Sequence, residues 1–369
     1  MTQQKHRKVI ISGGGTGGHI FPAISIANAL KKLDPGIDIL FVGAEGRMEM
    51  EKVPAAGYKI VGLPVSGLHR SLTAKNLKVL FRLLRSLGMA KKVLRDFTPD
   101  VVVGVGGYAS GPVLRQAAKM KIPTLIQEQN SYAGVTNKLL AKNAAKICVA
   151  YDGMAKYFPA EKIIMTGNPV RQSYENLSLL RDEALSFFRL EKKFPVVLVL
   201  GGSLGAGSIN SSLSDNLDKM RHSDCQWLWQ TGKYYYENVN ALVSVSVSEN
   251  IKVLDFINRM DYAYAAADVI ITRAGAGTIS ELCLVGKPVM LVPSPNVAED
   301  HQTKNATSLS EKDAAVLVPD KNAYTIIDEA IRLISNVNKR KALSENIRKL
   351  AIADADVRIA NEVLKLAGE

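Results

Sequence analysis

The chain has 369 residues, 47% of them hydrophobic and 22% charged, which excludes a disordered chain and suits two domains better than one. No apolar run reaches about 18 residues, so no spanning helix is expected, and the basic start MTQQKHRK leads into a strand and a glycine loop rather than a cleavable signal. The formal charge is +12 and lies in the first part: residues 1–170 hold 24 Lys+Arg against 10 Asp+Glu, or +14, and residues 171–369 hold 23 against 25, or −2.

In chain order, KVIISG reads as a strand, GGGTGG at 13–18 as a loop, and FPAISIANALKKL as a helix. The loop satisfies G-x-G-x-x-G, a weak signal alone. A dinucleotide site would want an acid after the second strand, DILFVGA, where Glu45 stands. Without that reading, the loop still lets backbone N–H groups approach an anion or a sugar, with a helix N-terminus behind it. His19 follows at the helix start. A helix N-terminus disfavours imidazolium, leaving a neutral ring available as a base; the plainer alternative is a histidine that caps local structure.

From Arg70 to Arg95 the chain carries Arg70, Lys75, Lys78, Arg82, Arg85, Lys91, Lys92 and Arg95 with no acid, among Leu77, Leu80, Phe81, Leu83, Leu84, Leu87 and Met89. This suits a membrane-surface helix, a solvated helix over a core, or a nucleic-acid face. No zinc finger or aromatic-rich single-strand module accompanies it, so no nucleic-acid partner is expected. PDVVVGVGG, IPTLIQEQ and AAKICVAY continue the strand rhythm, as expected of a buried parallel sheet.

The rhythm breaks over the polar stretch 167–184 and restarts at PVVLVLGGSLGAGSINSSLSDNL, residues 195–217. CQWLWQTG, IKVLDFI, ADVIITRAGAGTISELCLVG and KPVMLVPSP follow. The restart reads as an internal repeat. PDVVVGVGGYASGPVLRQAAKMKIPTLIQEQ and ADVIITRAGAGTISELCLVGKPVMLVPSP each run strand, small-residue loop, helix and Pro-marked strand. GGSLGAG at 201–207 lacks the dinucleotide spacing but suits a diphosphate, and TRAGAGTISE suits a nucleotide, with Glu281 able to accept two ribose hydroxyls. Cys148, Cys225 and Cys283 are scattered and point to neither a disulfide framework nor a metal cluster. There is no Walker lysine motif, no G-x-S-x-G elbow and no H-E-x-x-H.

GGGTGGHIFPA, GVGGYASGP, EQNSYAGVTNKLLA, GNPVR, GGSLGA, RAGAGTISE and HQTKNA occur in that order from residue 13 to 306. In this ordered set the chain resembles the MurG family of peptidoglycan glycosyltransferases over essentially its whole length. The resemblance implies an α/β GT-B fold with two Rossmann-like domains facing across a cleft. Residues 1–168 would form the acceptor and membrane-facing domain and 169–345 the UDP-GlcNAc domain, with 346–369 a helix packing back on the first. It implies inverting transfer of GlcNAc from UDP-GlcNAc to the MurNAc C4 hydroxyl of undecaprenyl-pyrophosphoryl-MurNAc-pentapeptide (lipid I), giving lipid II and UDP. No cofactor or metal is implied. The alternative on the same twin-domain architecture is an epimerase acting on UDP-GlcNAc.

The resemblance also implies residue roles. His19 is the first choice of base and Glu128 the second. Thr16, Gly17 and Gly18 would line the donor sugar and diphosphate, and Asn130 would bind the GlcNAc hydroxyls. Arg171 and Ser203 would meet the diphosphate, and the backbone of Ile257 the uracil. Ala276, Gly277, Thr278, Ile279, Ser280 and Glu281 would hold uridine, with Gln302 near the ribose or sugar. Tyr108 would stand on the acceptor side. Peripheral attachment to an anionic surface, on the cytoplasmic face of the bacterial inner membrane, is implied, as are contacts with cell-wall synthesis proteins. One departure stands out: where the family commonly reads HEQN, this chain reads QEQN, and Gln127 cannot act as a base.

Overall fold

A computed structural model describes residues 6–65, 75–170, 174, 176–202, 204–245 and 249–368, with the backbone alone for 75–80 and 298. The chain forms two compact units, residues 1–171 with 352–369, and residues 172–351.

The first unit is built on a seven-stranded parallel sheet of β1 (Lys8–Ser12), β2 (Asp38–Ala44), β3 (Lys59–Leu63), β4 (Val101–Gly104), β5 (Thr124–Glu128), β6 (Lys146–Val149) and β7 (Ile163–Met165). Their order is β3-β2-β1-β4-β5-β6-β7. Successive residues of a strand point to opposite faces. Val9 and Ile11 accordingly enter one core, with Ile26 and Leu30 of the helix Gly17–Leu33. Ile10 enters the other, with Ala90 and Leu94 of the helix Lys75–Phe97 and Val113 of the helix Ser110–Lys119. Burial on both faces is why residues 9–11 of β1 read as an unbroken apolar run, each such side chain stabilising the fold by about 1.5–3 kcal/mol.

The second unit has a six-stranded parallel sheet of β8 (Val196–Leu200), β9 (Gln226–Gln230), β10 (Ile251–Leu254), β11 (Val269–Thr272), β12 (Val289–Leu291) and β13 (Val316–Leu317), in the order β10-β9-β8-β11-β12-β13. The internal repeat is visible in one detail. Asp100, ahead of β4, accepts from the Lys8 N–H at 2.9 Å; Asp268, ahead of β11, accepts from the Val196 N–H at 2.9 Å. In each unit an aspartate ties the first strand to the strand across the point where sheet order reverses.

The helix Val337–Arg348 runs past residue 346, and its Leu343 lies in the core of the second unit. The return to the first unit therefore begins later than 346. It is made by the helix Ala355–Leu366, whose Ile359, Ala360 and Val363 are fully buried in the core shared with the helix Gly17–Leu33.

Candidate functional sites at the strand ends

In open parallel sheets, ligands bind beyond the carboxyl ends of the strands where the sheet order reverses. In the first unit that point lies between β1 and β4, and the loops leaving them are GGGTGG and GVGGY. In the second it lies between β8 and β11, and the loops are GGSLG and AGAG.

His19 is the third residue of the helix Gly17–Leu33 and is half-buried. Its Nδ1 lies 3.1 Å from the carbonyl oxygen of Gly14 and 3.3 Å from Thr16 Oγ1. Gly106, from the β4 loop, passes beside the ring: a Cβ there would stand 2.8 Å from Cδ2 and 2.9 Å from Nε2. The two glycine loops thus hold the imidazole between them. Thr16 and Gly18 are exposed, Gly17 is half-buried, and Tyr108 is 58% exposed just ahead of the helix Ser110–Lys119.

The end of β5 is tied to the segments that follow β4 and β7. Gln129 donates from Nε2 to the Val105 carbonyl at 2.8 Å, and its own carbonyl accepts from Asn168 Nδ2 at 2.9 Å. Gln127 is fully buried and donates to Asn168 Oδ1 at 2.9 Å. Position 127 therefore lies inside the unit, in a network reaching GNPVR.

Glu128, the second choice of base, lies enclosed. Its side chain is 2% exposed. Oε1 accepts from the backbone N–H and Nδ2 of Asn130 at 3.1 and 3.3 Å; Oε2 accepts from the Gly134 N–H at 3.0 Å and Asn137 Nδ2 at 2.8 Å. Burial pushes its carboxyl above the ordinary value, against the pull of these donors. A carboxylate enclosed by four N–H groups organises the 128–137 loop. Asn130 is half-buried and held by it.

Sequence reading missed Glu49. Glu45 is exposed, whereas Glu49 is 1% exposed and reaches back to the glycine loop. It accepts from the Gly15 N–H at 3.0 Å and the Ala44 N–H at 3.0 Å. Its helical neighbours in RMEMEKVP gave no sign of this, since the contact joins two different strand ends.

In the second unit, Ala276, Gly277, Thr278, Ile279, Ser280 and Glu281 form the first turns of the helix Ala276–Val285, capped by Gly275. The first N–H groups of a helix lack intrahelical partners and favour negative charge. Ser280 Oγ donates to the Ala276 carbonyl at 3.1 Å. Tyr264, buried, donates to Glu281 Oε2 at 3.4 Å; burial and the adjacent Glu281 push its phenol well above the ordinary value, so it remains a donor. Ile257 is 3% exposed. Gln302, in the first turn of the helix His301–Ser310, accepts from the Ser294 N–H at 2.8 Å, which fixes its amide. Arg273 was also missed. It donates to the Val292 carbonyl at 3.0 Å and to Ser208 Oγ at 2.9 Å, and pairs with Asp320, joining the β11 loop to the helix Gly207–Ser214. Arg171 and Ser203 lie outside the described residues.

The basic helix resolves one ambiguity. Phe81 is 70% and Leu84 60% exposed, while Ala90 and Leu94 are buried. Phe81 and Leu84 are therefore not the core-facing stripe; Leu77 lies outside the described side chains. Arg82, Arg85, Lys91, Lys92 and Arg95 are exposed along the same helix. Among the described residues no helix is long and apolar enough to cross a membrane.

Two family models match: the glycosyltransferase family 28 N-terminal domain over residues 9–149 and the family 28 C-terminal domain over 196–359. A protein of Parabacteroides distasonis named UDP-N-acetylglucosamine--N-acetylmuramyl-(pentapeptide) pyrophosphoryl-undecaprenol N-acetylglucosamine transferase is 59% identical over 360 residues, 97% of this chain and 98% of that one. A Bacteroides fragilis protein of the same name is 58% identical over 363 residues, 98% of this chain and 96% of that one. Among solved structures, MurG from Acinetobacter baumannii superposes with a TM-score of 0.81 at 27% identity, covering 97% of this chain and 99% of that one. The UDP-GlcNAc 2-epimerase of Neisseria meningitidis, at TM-score 0.66, 17% identity and coverage of 97% and 100%, shares the fold alone.

Proposed function

We propose how the residues divide the work from one premise: the chain belongs to glycosyltransferase family 28 and, within it, to the MurG family. It is a glycosyltransferase of GT-B fold that transfers GlcNAc from UDP-GlcNAc to lipid I, forming lipid II. The reaction is a single displacement with inversion. The C4 hydroxyl of MurNAc attacks the anomeric carbon, its proton passes to a base, and the bond to the diphosphate breaks with its electron pair leaving on UDP. His19 is the base, its Nε2 taking the proton. Thr16, Gly17 and Gly18 line the donor sugar and diphosphate, Asn130 takes GlcNAc hydroxyls, and Tyr108 stands on the acceptor side. Arg171, Ser203 and backbone N–H groups of the second unit neutralise the leaving diphosphate. Uridine lies along residues 276–281, with Glu281 on the ribose, the Ile257 backbone on uracil and Gln302 beside the ribose or sugar.

What carries this reading is that four of the seven ordered motifs, GGGTGGHIFPA, GVGGYASGP, GGSLGA and RAGAGTISE, follow the strands at the reversal points of the two sheets, with His19 gripped by two glycine loops. The test is acceptor dependence. UDP is expected to be released from UDP-GlcNAc only when a lipid-linked muramyl acceptor is added. Turnover of UDP-GlcNAc without acceptor would instead favour the epimerase. The nucleotide assignment is tested separately: Glu281→Ala is expected to weaken UDP binding by about 1–3 kcal/mol in calorimetry, because ribose hydroxyls lose a charged acceptor. Unchanged affinity would remove Glu281 from the ribose.

The acceptor's undecaprenyl chain stays in the bilayer, so the enzyme works at the membrane surface. Its docking element is the helix Lys75–Phe97, with Phe81 and Leu84 entering the interface and the basic residues meeting anionic headgroups of the inner membrane's cytoplasmic face. That position would also bring it beside cell-wall synthesis proteins. Each basic residue near an anionic leaflet contributes about 1 kcal/mol, screened by salt. Arg82→Glu with Arg85→Glu is expected to reduce co-sedimentation with anionic vesicles at low salt and leave UDP affinity unchanged. Phe81→Ser with Leu84→Ser should weaken it at every salt concentration. Full vesicle binding by both double variants would move the docking surface elsewhere.

A further inference from the structure

The Gly14–Gly15 peptide is gripped from both edges. On one edge, the Gly15 N–H donates to Oε2 of the buried Glu49 at 3.0 Å. On the other, the Gly14 carbonyl faces His19 Nδ1 at 3.1 Å. The N–H and C=O belong to one planar group, so fixing the first orients the second. Gly14 has φ +147° and a Cβ there would also press on the Glu49 carboxylate, so only glycine fits there. The other carboxylate oxygen takes the Ala44 N–H at the end of β2, which anchors the side chain to the sheet.

A carbonyl oxygen only accepts, so the ring nitrogen facing it must carry hydrogen. In neutral imidazole the lone pair then sits on Nε2. Thr16 Oγ1, 3.3 Å from Nδ1, is a hydroxyl that can accept from or donate to that nitrogen, so it does not choose between tautomers. The Gly14 carbonyl does. A carboxylate accepting from the same peptide makes a charge-assisted hydrogen bond that polarises the carbonyl and strengthens it as an acceptor.

We propose that Glu49 is a positioning residue for His19, acting through the Gly14–Gly15 peptide to hold the imidazole in the Nδ1–H tautomer. The consequence for turnover rests on the reading of His19 as base, since Nε2 then receives the acceptor proton. A carboxylate is required because two N–H groups point at it, one per oxygen; the amide of glutamine would set its own N–H against one of them.

The test is nitrogen-15 NMR of the full chain labelled at histidine, at a pH well above the ordinary imidazole value, with the His19 signals assigned by their loss in His19→Ala. The wild-type ring is expected to carry its hydrogen on Nδ1. Glu49→Gln is expected to shift the ring toward the Nε2–H form and to lower kcat about tenfold or more, with KM for UDP-GlcNAc little changed. A wild-type ring protonated on Nε2 overturns the proposal, and that measurement needs no variant to fold. So does a folded Glu49→Gln chain with unaltered tautomer and kcat. If Glu49→Gln moves the tautomer while His19→Ala barely slows transfer, the positioning role stands and the assignment of the base falls.

Discussion

His19→Ala is expected to lower kcat for GlcNAc transfer about 10²- to 10⁴-fold while leaving UDP affinity within about twofold. A sugar hydroxyl is a poor nucleophile at neutral pH, so removing a positioned base raises the barrier in the chemical step. UDP affinity serves as the control because the uridine contacts are assigned to the second unit, whereas His19 lies on the first. The helix start tolerates the change: His19 is half-buried, and its backbone N–H still reaches the Thr16 carbonyl at 3.1 Å. The check is steady-state transfer to a lipid-linked acceptor beside calorimetry with UDP. A decrease of less than about tenfold would remove His19 as the base.

Glu128→Ala is expected to lower folding stability by about 2–4 kcal/mol, because the N–H donors of Asn130, Gly134 and Asn137 lose their common acceptor in a buried place. Its pH dependence has a definite sign. Burial raises the folded-state carboxyl above its unfolded value, so the native state holds this proton more tightly. That contribution is complete below the unfolded value and is lost as pH rises through the folded one. The wild-type advantage over Glu128→Ala should therefore be greater near about pH 4 than near about pH 7 in chemical denaturation. Glu128→Gln separates the two roles considered for this residue. A loop organiser loses thermal stability with the substitution; a base loses kcat at unchanged stability.

Gln127 follows the same logic. It is fully buried and donates to Asn168, so its amide belongs to an internal network.

The sequence by itself determined the framework. Strands buried on both faces are rich in apolar residues, so the runs Val9–Ile11 in β1, Val101–Val103 in β4, Val196–Leu200 in β8 and Val269–Ile271 in β11 stand out as short and unbroken, whereas β5 carries the buried polar Thr124, Gln127 and Glu128. Glycine clusters after β1, β4, β8 and β11 mark where backbone must approach closely, and their recurrence exposed the repeat. Their order along the chain carried the family. Edge strands were less legible. β3, β7 and β13 lie at sheet edges with partly exposed residues and lack the buried signature.

Only the tertiary structure decided which side chains meet. Glu45 and Glu49 are both acids after β2, yet only Glu49 reaches the Gly15 N–H. Glu128 sits inside a motif that suggests catalysis, yet the loop through Asn137 closes over it. Phe81 and Leu84 have helical spacing that suits a core or a surface equally, and the packing of Ala90 and Leu94 left them outside. Periodicity reports which face an element buries. A hydrogen bond between loops from different strands depends on sheet order and strand register, which arise only when the whole unit folds.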